Sequence, residues 1–318
     1  MEKKAEVSSL KERIGLSVVP ADPAALIANL VEIEEAGVEH IWAGSPPWNP
    51  DLLTTLAAAA MRTKHLKLGT SIVQAFVHPV HLARQVLSFN AQAPGRLRLG
   101  IGSSSPEFAR RVYGIEMGSP LAYLREYAQV LRTLLHQGEV NYQGRYFTTN
   151  VPPQASTQIP VFLATLGPKA FRLAGEVADG ALPVMCPVPY LLNTAIPAMS
   201  AGAAAAGRPR PPVVGWVPIA LTEDRATALQ IGRQAMSIYP TRPAYRNMFL
   251  AAGFSPQEID SVSDNFIESV LVYGDESKIR DRLLELLALG IDELTIGVIP
   301  VSNATQESLR LARLIGRL

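Results

Sequence analysis

Residues 159–185 read IPVFLATLGPKAFRLAGEVADGALPVM: an apolar run, a Gly167-Pro168 turn, a helical pattern to Gly180 and a second apolar run. Both runs are short, nearly unbroken and bounded by turn residues. They predict strands covered on both faces and joined, through the helix, as parallel neighbours. The same unit recurs along the chain. IGLSVV (14–19) leads through Asp22-Pro23, a cap with proline at the first helical position, to Leu26, Leu30 and Ile33 at helical spacing, and Gly37 stops the helix. HIWAG (40–44) leads through Asn49-Pro50 to an alanine-rich helix, and LKLGTSIVQ (66–74) leads through His78-Pro79 to a helix ending near Ala93. RLRLGIG (96–102) precedes a longer connection and a Ser119-Pro120 start, with Leu121, Leu124, Ala128, Leu131 and Leu135 on one helix face. Beyond the opening stretch come an alanine-rich helix to about Ala206, then VVGWVPIAL (213–221), and finally IDELTIGVI (291–299) with a closing helix. VNYQGRYFTT (140–149) reads as a hairpin elaboration turning near Gln143-Gly144. Residues 222–266 read as a mainly helical insertion in which Ser255 and Glu258 have capping-box spacing.

Eight strand–helix units predict an α/β fold closed as a (β/α)8 TIM barrel, a single domain over 1–318 with the helical insertion near its mouth. An open doubly wound sheet is the rival. Gly100-Ile101-Gly102 follows a strand, but the third glycine position of a dinucleotide fingerprint holds Ser105. In a barrel, chemistry belongs at the carboxyl ends of the strands, which places Ser45, Ser71, Ser103, Gly167 and Cys186 on one rim.

Composition narrows the function. Lys and Arg number 29 against 28 Asp and Glu, a formal charge of +1, so no global field draws in nucleic acid or an anionic membrane. Cys186 is the single cysteine, which excludes an internal disulfide and a multi-cysteine metal site and fits a reducing compartment. MEKKAEVSSLKERIG at the start has no apolar core of a leader, and no apolar run reaches membrane-spanning length. The expectation is a cytoplasmic protein acting on a small molecule, with no nucleic-acid or membrane partner. The segments PVMCPVP (183–189) and SIYPTRPAYRNMF (237–249) favour a partly hydrophobic substrate. No GxSxG, GKT or serine–histidine–acid set supports a hydrolase or P-loop enzyme. His78 and His81 lie three apart without a completing HExxH or carboxylate, so no metal is expected. Cys186 has no cationic neighbour in sequence to activate it and reads as pocket lining, while Trp42 and Trp216 sit inside strands and read as core. Helices 50–62 and 194–206 present small-residue faces that predict a homodimer.

The Gly167-Pro168-Lys169 turn has two readings. Glycine admits a ligand close to the backbone, the helix start offers amides and positive potential to an anion, and Lys169 adds charge. The plain alternative is an ordinary connection with a solvated lysine.

Five segments carry a family resemblance: LKLGTSIVQAFVHPVHLARQ (66–85), GRLRLGIGSSSPE (95–107), LREYAQVLRTLLHQGEVNYQGRYFT (124–148), IPVFLATLGPKAFRLAGEVADGAL (159–182) and GDESKIRDRLLELLALGIDEL (274–294). Together they resemble the bacterial luciferase-like flavin and deazaflavin oxidoreductases, with the branch using coenzyme F(420) nearest and FMN the alternative cofactor. The resemblance implies a deazaflavin or flavin ring held at the barrel mouth by backbone. It places the ring on a bulge of the third strand, often a non-proline cis peptide, where this chain has Ser71-Ile72. It also implies phosphate contacts at Gly102, Ser103 and Ser104 and at Leu166, Gly167, Pro168 and Lys169, with Ser45, Trp48 and Cys186 toward the substrate. Hydride transfer to or from a small organic substrate is the activity implied; an FMN-dependent monooxygenase and a barrel that binds a flavin without turnover are the alternatives. The chain departs from the pattern at IWAGSPPW (41–48), where several deazaflavin members carry an Asp-His pair. After the fourth strand the family's acidic residue is replaced by serines, leaving Glu107 as the candidate acid, with a solvated carboxylate in a first helical turn as its plain reading.

Overall fold

The computed structural model describes residues 10–19, 22–44, 46 and 48–318. After a one-turn helix α1 (Leu10–Arg13) the chain alternates through β1 (Ile14–Val18), α2 (Pro23–Glu35), β2 (His40–Ala43), α3 (Leu52–Ala60), β3 (Lys67–Thr70), β4 (Val73–Gln74), α4 (Pro79–Gln92) and β5 (Leu97–Gly102). Two helices, α5 (Pro106–Tyr113) and α6 (Pro120–Gln137), lead to the antiparallel hairpin β6 (Val140–Gln143) and β7 (Thr148–Val151). Then follow β8 (Val161–Thr165), α7 (Pro168–Val177), β9 (Gly180–Pro183), and α8 (Val188–Tyr190), which passes through a π-turn at Leu191–Ala195 into α9 (Ile196–Ala205). The last third holds β10 (Val214–Ala220), α10 (Arg225–Met236), α11 (Pro243–Ala251), α12 (Pro256–Ser261), α13 (Asp264–Glu268), β11 (Val272–Tyr273), α14 (Glu276–Ala288), β12 (Glu293–Val298) and α15 (Ala304–Gly316). Helix starts follow local chemistry: Asp22 accepts from the Ala25 amide at 2.7 Å, Asp51 from that of Thr54 at 2.7 Å, and Ser255 with Glu258 forms the expected capping box.

The strands pair in parallel in the order β11-β10-β12-β1-β2-β3-β5-β8-β9. A bridge from Ala181 to Val213, with the Ala181 amide donating to Pro212 at 3.0 Å, joins β9 to the β10 side and closes the ring. The eight ring strands are therefore those of the expected barrel. One detail follows the family resemblance and one differs from the sequence reading. The third strand breaks after Thr70 at a cis Ser71-Ile72 peptide and resumes at Val73, which pairs with Ile101. The two-residue β11 adds itself outside β10, a strand too short to leave any alternation in the sequence.

Charged residues of two of the resembling segments, 124–148 and 159–182, build this frame. Glu126 on α6 accepts from the amides of Arg145, Tyr146 and Phe147 at 3.0, 2.8 and 3.2 Å, pinning the hairpin turn. Arg125 pairs with Glu176 on α7. Arg132 Nε donates to Asp179 at 2.9 Å, and Asp179 also accepts from the Val161 amide at 3.0 Å. The small-residue face of 194–206, expected to meet a second copy, instead packs inside the chain. A Cβ on Gly175 would lie 2.1 Å from the Met199 carbonyl oxygen and one on Gly202 2.0 Å from that of Arg172, so α7 and α9 touch backbone to backbone. The α3 face is likewise spent, with Leu52, Leu53, Leu56, Ala59 and Ala60 buried.

Glu34, buried on α2, accepts from the amides of Lys64, His65 and Leu66 at 2.9, 2.8 and 2.7 Å. Burial pushes its carboxyl up, but these backbone donors outweigh burial and hold it below the usual 4.5. A carboxyl depressed on folding lends stability above its unfolded value, and that stability is lost as pH falls through the folded one. Glu34→Gln is expected to cost about 1–3 kcal/mol at neutral pH, where the orphaned amides lose an ionised acceptor. It should also flatten the loss of stability below the usual 4.5. Urea midpoints at neutral and acid pH check both, and identical pH dependence in the two proteins would reject the assignment.

Candidate active site

The lumen is plugged at its amino-terminal end. Arg98 on β5 donates to both carboxylate oxygens of Glu293 on β12 at 2.7 and 2.9 Å, across a ring in which those strands are not neighbours. Its guanidinium lies 4.7 Å from the Trp42 ring centroid and 4.8 Å from that of Phe162. Trp42, Phe162, Leu182 and Val214 form a cluster apart from the main core, joined by Ile72. His40, buried beside them, is pushed down to about 3 by burial and by the charges of Arg98 and Lys67, and is neutral at physiological pH. The charges at 98 and 293 inside otherwise apolar strands were the sequence signal for this plug, which the motif reading passed over.

Above the plug the inward positions shrink. Strand alternation carries the inward face from Trp42 to Gly44, from Arg98 to Gly100 and Gly102, from Phe162 to Ala164, and from Glu293 through Thr295 to Gly297. A Cβ on Gly102 would meet the Ile72 and Ala164 side chains, so this level lies over the Ile72 side chain. A Cβ on Gly297 would meet the Trp216 indole, so above the aromatic plug the mouth is floored by backbone, Ile72 and the Trp216 ring.

Sheet order brings the expected cofactor segments together, because β3/β4, β5 and β8 are successive neighbours. The Ser71 amide donates to Ala43 at 2.7 Å. Ser103 is half-buried and Ser104 exposed, the latter in left-handed backbone at φ 54°, while the Ser105 hydroxyl caps α5 by accepting from Phe108 at 3.2 Å. Leu166 accepts from the Tyr190 hydroxyl at 2.8 Å. Gly167 precedes α7 with φ −85° and ψ 161°, backbone that any residue adopts, and a Cβ there would have no atom within 4 Å. Neither backbone conformation nor internal packing requires a glycine at this position. Pro168 and Lys169 are exposed, and Lys169 has no ion-pair partner among the described residues.

The other expected residues fall differently. Glu107 is exposed in the first turn of α5, with no hydrogen bond or ion pair among the described residues, so nothing aims it into the lumen. Cys186 is buried after β9, and burial pushes its thiol up, away from the reactive thiolate. Trp48 is 72% exposed and leans on Phe108. Trp216, expected in the core, is only half-buried, its ring lying over Gly297. Ser45 lies outside the described residues. His78 accepts from the Val80 amide at 3.3 Å as a helix cap. Among the described residues no three metal-ligating groups cluster, and no helix is long and apolar enough to cross a membrane.

Fold and mouth define a (β/α)8 barrel whose strand–helix loops carry its chemistry. The chain belongs to the luciferase-like monooxygenase family, whose model matches residues 7–293, and is an enzyme of that family. It is 25% identical over 319 residues to 5,10-methylenetetrahydromethanopterin reductase of Methanolobus tindarius, covering 93% of this chain and 97% of that protein. To the F(420)-dependent glucose-6-phosphate dehydrogenase of Gordonia bronchialis it is 32% identical over 179 residues, 50% of this chain and 52% of that one. Among solved structures, an F(420)-dependent secondary alcohol dehydrogenase in complex with an F(420)-acetone adduct shares the fold with a TM-score of 0.77 at 19% identity, covering 95% and 97% of the two chains.

Proposed function

We propose that the protein transfers a hydride between the deazaflavin coenzyme F(420) and a small organic substrate at the barrel mouth. The observation that carries this reading is the row of small inward positions at the mouth, Gly44, Gly102, Ala164 and Gly297. Ile72 covers Gly102 and the half-buried Trp216 indole covers Gly297, leaving an apolar floor of backbone, one aliphatic chain and one flat ring on which a planar cofactor fits. The dependence of the relatives on this coenzyme supports the choice of ring. When bound, the deazaflavin supplies the two-electron hydride chemistry, leaving binding, orientation and water exclusion to the protein.

In this reading Ser71 and Ile72 underlie the ring. Gly102, Ser103 and Ser104 offer amides and hydroxyls to the phosphate, alongside Leu166, Gly167, Pro168 and Lys169 at the start of α7, where the helix end favours an anion. Trp48 faces the substrate, and Cys186 lines the wall behind it. Glu107 is the carboxylate nearest in sequence to this rim, and since it is exposed and not aimed into the lumen, a proton for the substrate comes from solvent.

Fluorescence titration of the purified protein with F(420) and with FMN tests the proposal. Tighter binding of the deazaflavin is expected; tight binding of FMN alone would reassign the protein to the monooxygenase reading. The proposal includes a cytoplasmic homodimer, for which the outer faces of α3 and α9 remain open, with Thr54, Ala58, Ala201, Ala204 and Ala205 exposed. Light scattering at micromolar concentration should give twice the chain mass, and a monomer there would remove the dimer.

A further inference from the structure

Four aromatic rings from three separate loops meet on the rim. Trp48, between β2 and α3, lies 5.8 Å from Phe108 on α5, and Phe108 lies 5.9 Å from Phe76, in the loop between β4 and α4. Phe76 stacks on Tyr113 at 4.4 Å and 33°, and Tyr113 sits 6.1 Å from Phe108. Each loop leaves the carboxyl end of its strand, so the cluster belongs to the mouth and not to the plugged end. Water reaches much of it: Trp48 is 72% exposed, Tyr113 47% and the adjoining Val77 43%. A tryptophan held against phenylalanine yet open to solvent keeps a large apolar face unburied, the pattern of a surface that receives a ligand.

We infer that this cluster is the substrate wall and that the substrate presents an uncharged aromatic ring to it, an inference that rests on the reading of the mouth as the redox site. Position is the first support. The three connections follow β2, β4 and β5; Ser71-Ile72 lies immediately before β4 and Gly102-Ser104 ends β5 and opens its connection, so a ligand on the wall borders the proposed ring site. Ring geometry is the second. The tilted and offset contacts within the cluster leave the Trp48 face free, and aromatic groups add to one another in these offset and edge arrangements. Chemistry is the third: the four rings bring only an indole N–H and one phenol hydroxyl to the wall itself, while the nearby ionisable side chains, His78 before α4 and Glu107, Arg110 and Arg111 on α5, are all exposed around it.

The test uses the full chain and two neutral probes of equal carbon skeleton, 2-acetylnaphthalene and its saturated decalin analogue, in calorimetric titrations. The parent should bind the naphthalene at least tenfold more tightly than the decalin. Trp48→Ala and Phe108→Leu should each weaken naphthalene binding about tenfold, with the urea midpoint and F(420) affinity unchanged. Trp48 emission should be quenched on binding, since Trp42 is fully buried and Trp216 half-buried. Equal binding of the two probes, or variants that bind like the parent, would overturn the aromatic wall while leaving F(420) binding as a separate result. A change in oligomeric mass in Phe108→Leu without a change in probe affinity would make the cluster an interface between copies and overturn the inference. Naphthalene binding by a protein that takes up no F(420) would retain the wall and reject the redox reading.

Discussion

Arg98→Ala is expected to destabilise the barrel by about 3–5 kcal/mol, because it strands the Glu293 carboxylate in the lumen without its partner. The pair is 12% and 18% exposed, so solvent replaces little of what the guanidinium supplies. The substitution also opens the space between Trp42 and Phe162, which the guanidinium fills by stacking against both rings. A loss of this size is a large part of the roughly 5–15 kcal/mol that holds a domain together. The physical cause is separable from lost volume. Arg98→Met keeps most of the packing but leaves the same unpaired carboxylate, so it should remain strongly destabilised, and combining it with Glu293→Leu should recover most of the loss. Urea denaturation of the three variants measures each step. A loss under about 1 kcal/mol for Arg98→Ala would mean that water solvates the pair and that the plug is not dry.

Gly167→Val is expected to weaken F(420) binding about 100-fold while leaving the urea midpoint unchanged. The backbone at Gly167 accepts any residue and a Cβ would point into open space, so the fold has no objection to valine. A ligand held by the adjacent amides would meet the branched side chain where its phosphate should sit, and losing two charge-assisted hydrogen bonds, about 3 kcal/mol, corresponds to that factor. Lys169→Ala removes a charge and no backbone donor. It should cost about 1 kcal/mol at low salt and less as ionic strength rises, because the lysine is exposed. The order of the two effects carries the argument. A folded Gly167→Val protein that binds the coenzyme like the parent would make the turn a plain connection and move the phosphate to Gly102-Ser103-Ser104.

Sequence alone was enough for whatever depends on neighbours in the chain. Asp22-Pro23 and the Ser255–Glu258 box announce helix starts because a cap and its amide lie three residues apart, whereas the start expected at Asn49-Pro50 falls at the Asp51 cap. The eight ring strands show as short apolar runs because both of their faces are covered. The break at Ser71-Ile72 was legible only through resemblance, since TSIV by itself reads as an uninterrupted buried strand. Tertiary structure decided the rest. The Arg98–Glu293 plug joins residues 195 positions apart, and Trp48, Phe76, Phe108 and Tyr113 converge only because their loops leave one rim. Glu126, Arg125 and Glu176 look like motif residues in the chain and prove to be struts, because their partners lie on another helix and a hairpin. Gly167 is the reverse case: in sequence it could be a turn glycine, and the open space around it shows that the fold itself does not demand one. Hydrogen bonds that close within a turn are written in local spacing, whereas contacts across the lumen or between loops depend on sheet order, which a linear pattern of residue types does not encode.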